Sequence, residues 1–133
     1  MSVKSFTVGG VQYNAAMASA VDQDRLMSLL SGAVLERFAT AAQAGIEVDD
    51  QVLCSMFMSM RQDVKGQVVQ ILMTRVFING TERAVTVADF GGKMVHYNQL
   101  LAELLRWNLS DFFDWLPSGA KGARQEGAAS AAQ

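Results

Sequence analysis

The sequence predicts a small, mainly α-helical domain of the α+β class, with about four to five helices and a short N-terminal β-hairpin. Its 133 residues correspond to one domain, and apolar residues make up 50% of them, which suffices for a core without metals or disulfides. Apolar positions recur every three or four residues along most of the chain, as on one face of a helix. Near the N-terminus this period becomes two. We place the domain at residues 1–117 and a disordered tail at residues 118–133.

The first predicted element is the hairpin. Two short segments in which apolar residues alternate with polar or small ones, 6–8 and 11–13, flank Gly9-Gly10. Two glycines supply the positive φ angles that a tight two-residue turn requires.

A long amphipathic helix is predicted next, over residues 23–44. Asp22 is the expected N-cap, and Gly45 suits the left-handed conformation that ends a helix. The apolar stripe of this helix repeats every fourth residue and comprises Leu26, Leu30, Val34 and Phe38.

A second helical region begins at Asp49-Asp50, which supply an N-cap and negative charge in the first turn. Its apolar face comprises Leu53, Met56, Phe57, Met60, Val64, Val68, Ile71 and Leu72. Gly66 lies in the middle of this region. The sequence leaves open whether Gly66 divides it into two helices or is a weak point within one, costing about 1 kcal/mol relative to alanine.

Asn79-Gly80, between two apolar segments, indicates a second turn. A second hairpin there would have its return strand at residues 84–87. The alternative is that the preceding helix ends at Asn79-Gly80 and an extended linker follows. The sequence does not decide between the two.

The last elements are again helical. Thr86 and Asp89 have the spacing of a capping box. The helix that follows has a stripe of large apolar residues and ends near Trp107-Asn108; the stripe comprises Met94, Tyr97, Leu101, Leu104 and Leu105. Ser110 can cap a short helix over residues 111–116, which Pro117 ends. Residues 118–133 contain no large apolar side chain, so we expect them to be disordered.

Composition argues against catalysis and against nucleic-acid binding. The chain has one cysteine and one histidine, which exclude an internal disulfide and any zinc site built from such residues. Cys54 and His96 have no recognisable catalytic partners, and nothing indicates that Glu103, Asp111 or Asp114 is buried in a cleft. The net charge is −2, whereas proteins that bind nucleic acid through their overall charge are positively charged. We expect no enzyme, no cofactor and no metal.

We also expect neither a membrane span nor a signal peptide. The longest stretch without charge, Ser5 to Val21, contains glycines and polar residues, whereas a spanning helix needs about 20 mostly apolar ones. Gly9-Gly10 interrupts the apolar run that a signal peptide would need. An unpaired thiol fits the cytoplasm.

Two groups of apolar side chains are candidates for binding a partner. The first is rich in methionine, whose flexible thioether adapts to varied shapes, and Met58 points to a different side of its helix from the others. The second is aromatic. The candidates are Met56, Met58, Met60, Trp107, Phe112, Phe113 and Trp115. Both groups also fit a core, and the sequence does not separate the two roles.

In the C-terminal half, an Asp-Phe turn at Asp89-Phe90 precedes a leucine-rich helix with an Asn-apolar-x-x-Phe-Phe ending, and this order resembles the tail assembly chaperones of long-tailed bacteriophages. The matching residues are Ala88-Asp89-Phe90-Gly91-Gly92, then a leucine-rich helix that runs into Asn108-Leu109-Ser110-Asp111-Phe112-Phe113. The N-terminal order, a hairpin and then a helix with an early Leu-Leu pair, is also similar. The resemblance covers most of residues 5–116, and Lys93 departs from the acidic residue usual at that position.

The resemblance implies a protein that is not an enzyme. Such chaperones bind the tape-measure protein, a long apolar helical chain, and keep it soluble in the host cytoplasm, without entering the mature virion. Many are also made in a longer, frameshifted form that recruits tail-tube protein. The alternative is a homo-oligomeric structural or adaptor protein of virion assembly without chaperone activity. Neither interpretation involves nucleic acid or a membrane.

Overall fold

The computed structural model describes residues 2–30 and 33–115, with the side chains of residues 33–35 left aside. Three predicted features therefore lie outside the described residues: the tail at 118–133, the end of the last helix and the side chain of Val34. The elements are, in chain order, β1 Val3–Val8, β2 Val11–Ala16, α1 Ala20–Leu29, α2 Ala33–Gln43, α3 Asp50–Ser59, α4 Gln62–Met73, β3 Val76–Ile78, a 3₁₀ helix Val87–Phe90 and α5 Met94–Asn108. Residues 110–115 form a further helical segment, α6. The predicted class is confirmed: the fold is mainly helical, with a hairpin at its start.

The N-terminal hairpin forms as predicted. Gly9 and Gly10 have φ angles of +57° and +80°, and Val8 pairs with Val11 across the turn. Gly9 also lies directly against His96, since a Cβ atom added there would stand 2.5 Å from the imidazole Nδ1. Glycine at this position is therefore required by its backbone angle and by its neighbour.

The sheet has a third strand, which is the first strand of the possible second hairpin, and its pairing with β2 was not predicted. β3 pairs antiparallel with β2, so that Tyr13 lies opposite Ile78, and the strand order is β1-β2-β3. Beyond the turn at Asn79-Gly80, the returning chain makes a single bridge between Phe77 and Ala84. The second hairpin is thus reduced to this bridge, and its first strand belongs to the N-terminal sheet.

The single helix predicted over residues 23–44 is wrong, since the structure has α1 and α2 instead. α1 starts earlier than expected because Ser19 is its N-cap, its hydroxyl accepting a hydrogen bond from the Asp22 N–H at 3.3 Å. It ends at Leu29, before Ser31-Gly32, two residues of weaker helix propensity than their neighbours. The predicted end at Gly45 is confirmed, with φ at +80°.

The second helical region is divided at Met60-Arg61 and not at Gly66. Asp49 is the N-cap of α3 as predicted, its carboxylate accepting a hydrogen bond from the Val52 N–H at 3.0 Å. Met60 and Arg61 are extended, with ψ at 141° in both, so α4 starts anew at Gln62. Ser59 contributes to the end of α3, because its hydroxyl donates to backbone carbonyls one turn earlier. Gly66 lies within α4.

The helix α5 is the centre of the core. Four of its leucines have no exposed surface: Leu100, Leu101, Leu104 and Leu105. It packs mainly against α3, and also against β1 and α4. Met94, predicted for the apolar stripe, is instead half-exposed at its first residue. The predicted capping box at Thr86 and Asp89 forms and leads into this helix.

A buried asparagine fixes the end of α5. The Asn108 side chain accepts a hydrogen bond from the Ala18 N–H at 2.7 Å and donates one to the Leu104 carbonyl at 2.9 Å. It thereby joins the segment between β2 and α1 to the C-terminal end of the central helix.

Candidate partner-binding surfaces

The residues predicted for partner binding do not form one surface. Two of them are buried, Met56 and Phe113. Three are half-buried and pack against the core: Met60, Trp107 and Phe112. Only Met58, 50% exposed, and Trp115, 66% exposed, stand out from the described surface, and they line different grooves.

The C-terminal groove lies between α1 and α6 and has a volume of about 580 Å³. Its apolar lining consists of Ala20, Met27, Leu109, Phe112 and Trp115. Phe112 and Trp115 are three residues apart on α6, so their rings share a face and lie 6.2 Å apart between centroids. The groove therefore has a wall of two aromatic rings that is open to solvent.

The groove is fixed to the core by the neighbouring ring of Phe113. This side chain is buried against Phe38 of α2, at 5.7 Å between centroids, and stands edge-on to Phe112 at 5.2 Å. Because the Phe113 side chain points into the core, α6 is oriented so that the Trp115 side chain points outward. Two carboxylates, Asp24 and Asp111, also line the groove and give it a negative rim.

The edge groove runs along β1 and consists of two adjoining cavities of about 640 and 530 Å³. Both are lined by Thr7, Asp50 and Glu103. α3 and α5 form its other wall. Met58 and Val95, each about half-exposed, make one end of it apolar.

Glu103 is the unusual charge in the edge groove. Its Oε2 atom is buried and has no hydrogen-bond partner among the described residues. Burial, and then the nearby Asp50 carboxylate, raise the pKa of Glu103, while Lys4 acts in the opposite direction. Asp50 itself pairs with Arg106 at 3.3 Å. This burial could not be predicted from the sequence, because it depends on how β1 and α3 pack around α5.

A buried lysine was also missed. Lys65 of α4 is 8% exposed, and its ammonium donates to the Asn98 side-chain oxygen at 2.6 Å and lies 5.5 Å from the Tyr97 ring centroid. Burial lowers the pKa of Lys65. A signal was available, since Lys65 shares a helix face with Val68 and Leu72. The contacts give Lys65 a structural role in joining α4 to α5.

Cys54, Asp111 and Asp114 were also considered in the sequence analysis as candidate reactive groups. Burial raises the pKa of the Cys54 thiol, which disfavours the reactive thiolate. Asp111 and Asp114 are exposed on α6. Within residues 2–30 and 33–115, no cluster of three or more histidine, cysteine, aspartate or glutamate side chains could hold a metal ion. No helix in this part of the chain is long and apolar enough to cross a membrane.

The fold and its surfaces define a small, mainly helical α+β domain with an aromatic groove at one end and a groove along a sheet edge. Comparison of the chain with protein-family models, with curated proteins and with solved structures found no match in any of the three.

Proposed function

We propose that the protein is a tail assembly chaperone, which binds the tape-measure protein of a long-tailed bacteriophage and keeps it soluble in the host cytoplasm. The observation that carries the proposal is the two-thirds exposure of Trp115 over the C-terminal groove. The resemblance of residues 88–113 to tail assembly chaperones supplies the identity of the partner. The proposed role needs neither a catalytic residue nor a cofactor.

The chemistry of the C-terminal groove suits an apolar helix as its occupant. Large aromatic side chains dominate binding energy where they become desolvated, and Phe112 and Trp115 together offer such an anchor. A partner helix would place its i, i+3 and i+4 residues against these rings. Asp24 and Asp111 at the rim favour a helix flanked by basic residues.

The aromatic groove alone is short for a very long partner. We propose that Met58, at the apolar end of the edge groove, provides a second contact, because methionine repacks around different side chains. Many copies of the chaperone would then cover one tape-measure chain. A frameshifted longer form that recruits tail-tube protein belongs to the same proposal.

The test is co-expression with the tape-measure protein, followed by measurement of its soluble fraction. Trp115→Glu should abolish solubilisation while leaving the circular dichroism spectrum unchanged, because an unpaired carboxylate buried in an apolar interface costs several kcal/mol. Met58→Glu should weaken solubilisation in the same assay. Val21→Glu is the matched control, since Val21 is 72% exposed on α1 and does not line the groove.

If Trp115→Glu folds and still solubilises the tape-measure protein, the C-terminal groove is not the chaperone site. If the wild-type chain fails to solubilise any tape-measure protein and forms a defined oligomer that Trp115→Glu dissociates, the groove is a contact between copies. That result would support the homo-oligomeric structural or adaptor role.

A further inference from the structure

The strand β1 has a free edge. Val8 and Val11 flank the two-residue turn and form a hydrogen-bonded pair, so the even-numbered residues of β1 bond to β2. Val3, Ser5 and Thr7 therefore direct their N–H and C=O groups away from the sheet. No described residue outside the hairpin forms a hydrogen bond with the backbone of Ser5 or Thr7.

The two edges of the sheet differ in this respect. At the opposite edge, β3 has only three residues, and the returning chain covers it through the Phe77–Ala84 bridge and a hydrogen bond from the Val85 N–H to the Val76 carbonyl at 3.0 Å. β1 has six residues in continuous register, without proline and without a bulge. Such an edge is a template for another strand.

The edge groove follows this template. The residues of β1 that line it are consecutive, from Lys4 to Val8, and the turn residue Gly9 follows them. Successive side chains of a strand point to opposite faces, so a cavity lined by consecutive residues lies along the backbone edge and not on one face. The six residues of β1 give it a length of about 20 Å.

The groove also offers an unsatisfied negative charge. The buried Oε2 of Glu103 lacks a hydrogen-bond donor among the described residues, and although the charge of Lys4 acts on Glu103, neither Lys4 nor Arg106 forms a salt bridge with it. Arg106 donates to the Val48 carbonyl at 2.6 Å and pairs with Asp50, and the Lys4 ammonium lies over the Phe6 ring at 5.3 Å. A guanidinium or ammonium brought by another chain would complete the charge pairing.

We propose that the free edge of β1 binds an extended segment of a partner protein as an added strand, with an arginine or lysine of that segment paired with Glu103. Backbone hydrogen bonds to Ser5 and Thr7 provide affinity, and the basic side chain sets the register. Apolar side chains of the segment pack against Met58 and Val95 at the far end of the groove. The proposal shares Met58 with the second contact proposed above for the tape-measure protein, but it rests on the free sheet edge and on Glu103, neither of which the chaperone function uses.

The first experiment uses the full-length protein and a fluorescein-labelled peptide of sequence SVTVRVTS, measured by fluorescence anisotropy. We expect binding that raises the hydrogen-exchange protection of the Ser5 and Thr7 amides. Replacing the peptide arginine by glutamate should weaken binding, and Glu103→Gln should raise the Kd for the arginine peptide about fivefold, as for a partly exposed ion pair. Glu82→Gln, an exposed position outside the groove, is the control.

A second variant tests the backbone contacts. Thr7→Pro removes an outward N–H that the sheet does not use, a position where an edge strand tolerates proline, and should abolish peptide binding while the circular dichroism spectrum is unchanged. Thr7→Val keeps the N–H and should bind normally. Should Thr7→Pro fail to fold, the Glu103→Gln measurement decides alone.

Three results would overturn the proposal. One is a peptide that binds without protecting the Ser5 and Thr7 amides, or whose Kd is unchanged both by replacing the peptide arginine with glutamate and by Glu103→Gln. Another is protection of these amides without peptide that disappears on dilution, which would identify a second copy of the chain as the occupant. The third is protection without peptide that disappears in Lys121→Gln/Arg124→Gln, which would identify the chain's own residues 116–133.

Discussion

Replacing Gly66 by alanine should stabilise the protein. Gly66 lies in the interior of α4, which spans Gln62–Met73, and apart from its chain neighbours and the helix's own backbone a Cβ atom added there has no heavy atom within 4 Å. The residue is exposed, so no packing changes. What changes is the unfolded state, because alanine has less backbone freedom to lose on forming a helix. The expected gain is about 0.5–1 kcal/mol, the difference in helix propensity between the two residues.

The measurement is thermal and urea unfolding followed by circular dichroism at 222 nm. For a domain of this size the gain corresponds to a rise in Tm of about 2–4 °C, with an unchanged urea m value. Gly9→Ala is the matched control and should lower the stability, because Gly9 has φ at +57° and its new Cβ would stand 2.5 Å from His96 Nδ1. An unchanged or lower Tm for Gly66→Ala would show that residues 62–73 are not a continuous helix in solution.

Three further predictions concern the core, the buried carboxylate and the tail. Leu104→Asp should unfold the domain, since Leu104 has no exposed surface, whereas Gln99→Asp on the exposed side of α5 should leave a helical spectrum. Because the pKa of Glu103 is raised, the folded state binds a proton at this carboxyl more tightly than the unfolded state does, and stability is lost as the pH rises from the ordinary glutamate pKa through the raised one. Glu103→Gln should therefore unfold at a higher urea concentration than wild type at pH 7, and the difference should be smaller at pH 4. Truncation after Ser118 should leave Tm unchanged, because residues 119–133 contain no large apolar side chain; a drop of several degrees would show that they dock on the domain.

The parts of the fold that could be predicted are those set by local chemistry. The turn at Gly9-Gly10, the N-cap Asp49, the capping box at Thr86 and Asp89 and the helix end at Gly45 depend on the conformational preferences of a few neighbouring residues. Each of these is formed as the sequence indicated.

The errors arise where distant parts of the chain decide. Apolar residues keep a helical spacing across Leu30 and across Met60-Arg61, so periodicity alone does not reveal that the helices end there. The pairing of β3 with β2 brings Phe77 opposite Asn14, and nothing in either segment specifies the other. Lys65 can be buried because Asn98, 33 residues later, accepts its hydrogen bond.

The candidate surfaces show the same division. Composition and spacing identified the apolar residues of α3 and α6 and set Met58 on a different side from Met56, but they did not show which aromatic residues of α6 turn outward. Met56 and Met58 differ by two positions and are buried and half-exposed, and Phe113 and Trp115 differ in the same way. Whether a side chain points inward or outward depends on what packs beside its helix. Phe113 points inward because it packs against the ring of Phe38, and Met56 points inward because it belongs to the core cluster.

The position of α5 in the chain has a consequence for biosynthesis. The helix that fills the core spans Met94–Asn108, so the ribosome releases β1, α3 and α4 before the surface on which they pack exists. Asn108 then closes a contact with Ala18 across 90 residues. Native folding is therefore delayed until most of the chain has emerged from the ribosome. During translation the apolar side chains of the earlier segments remain exposed.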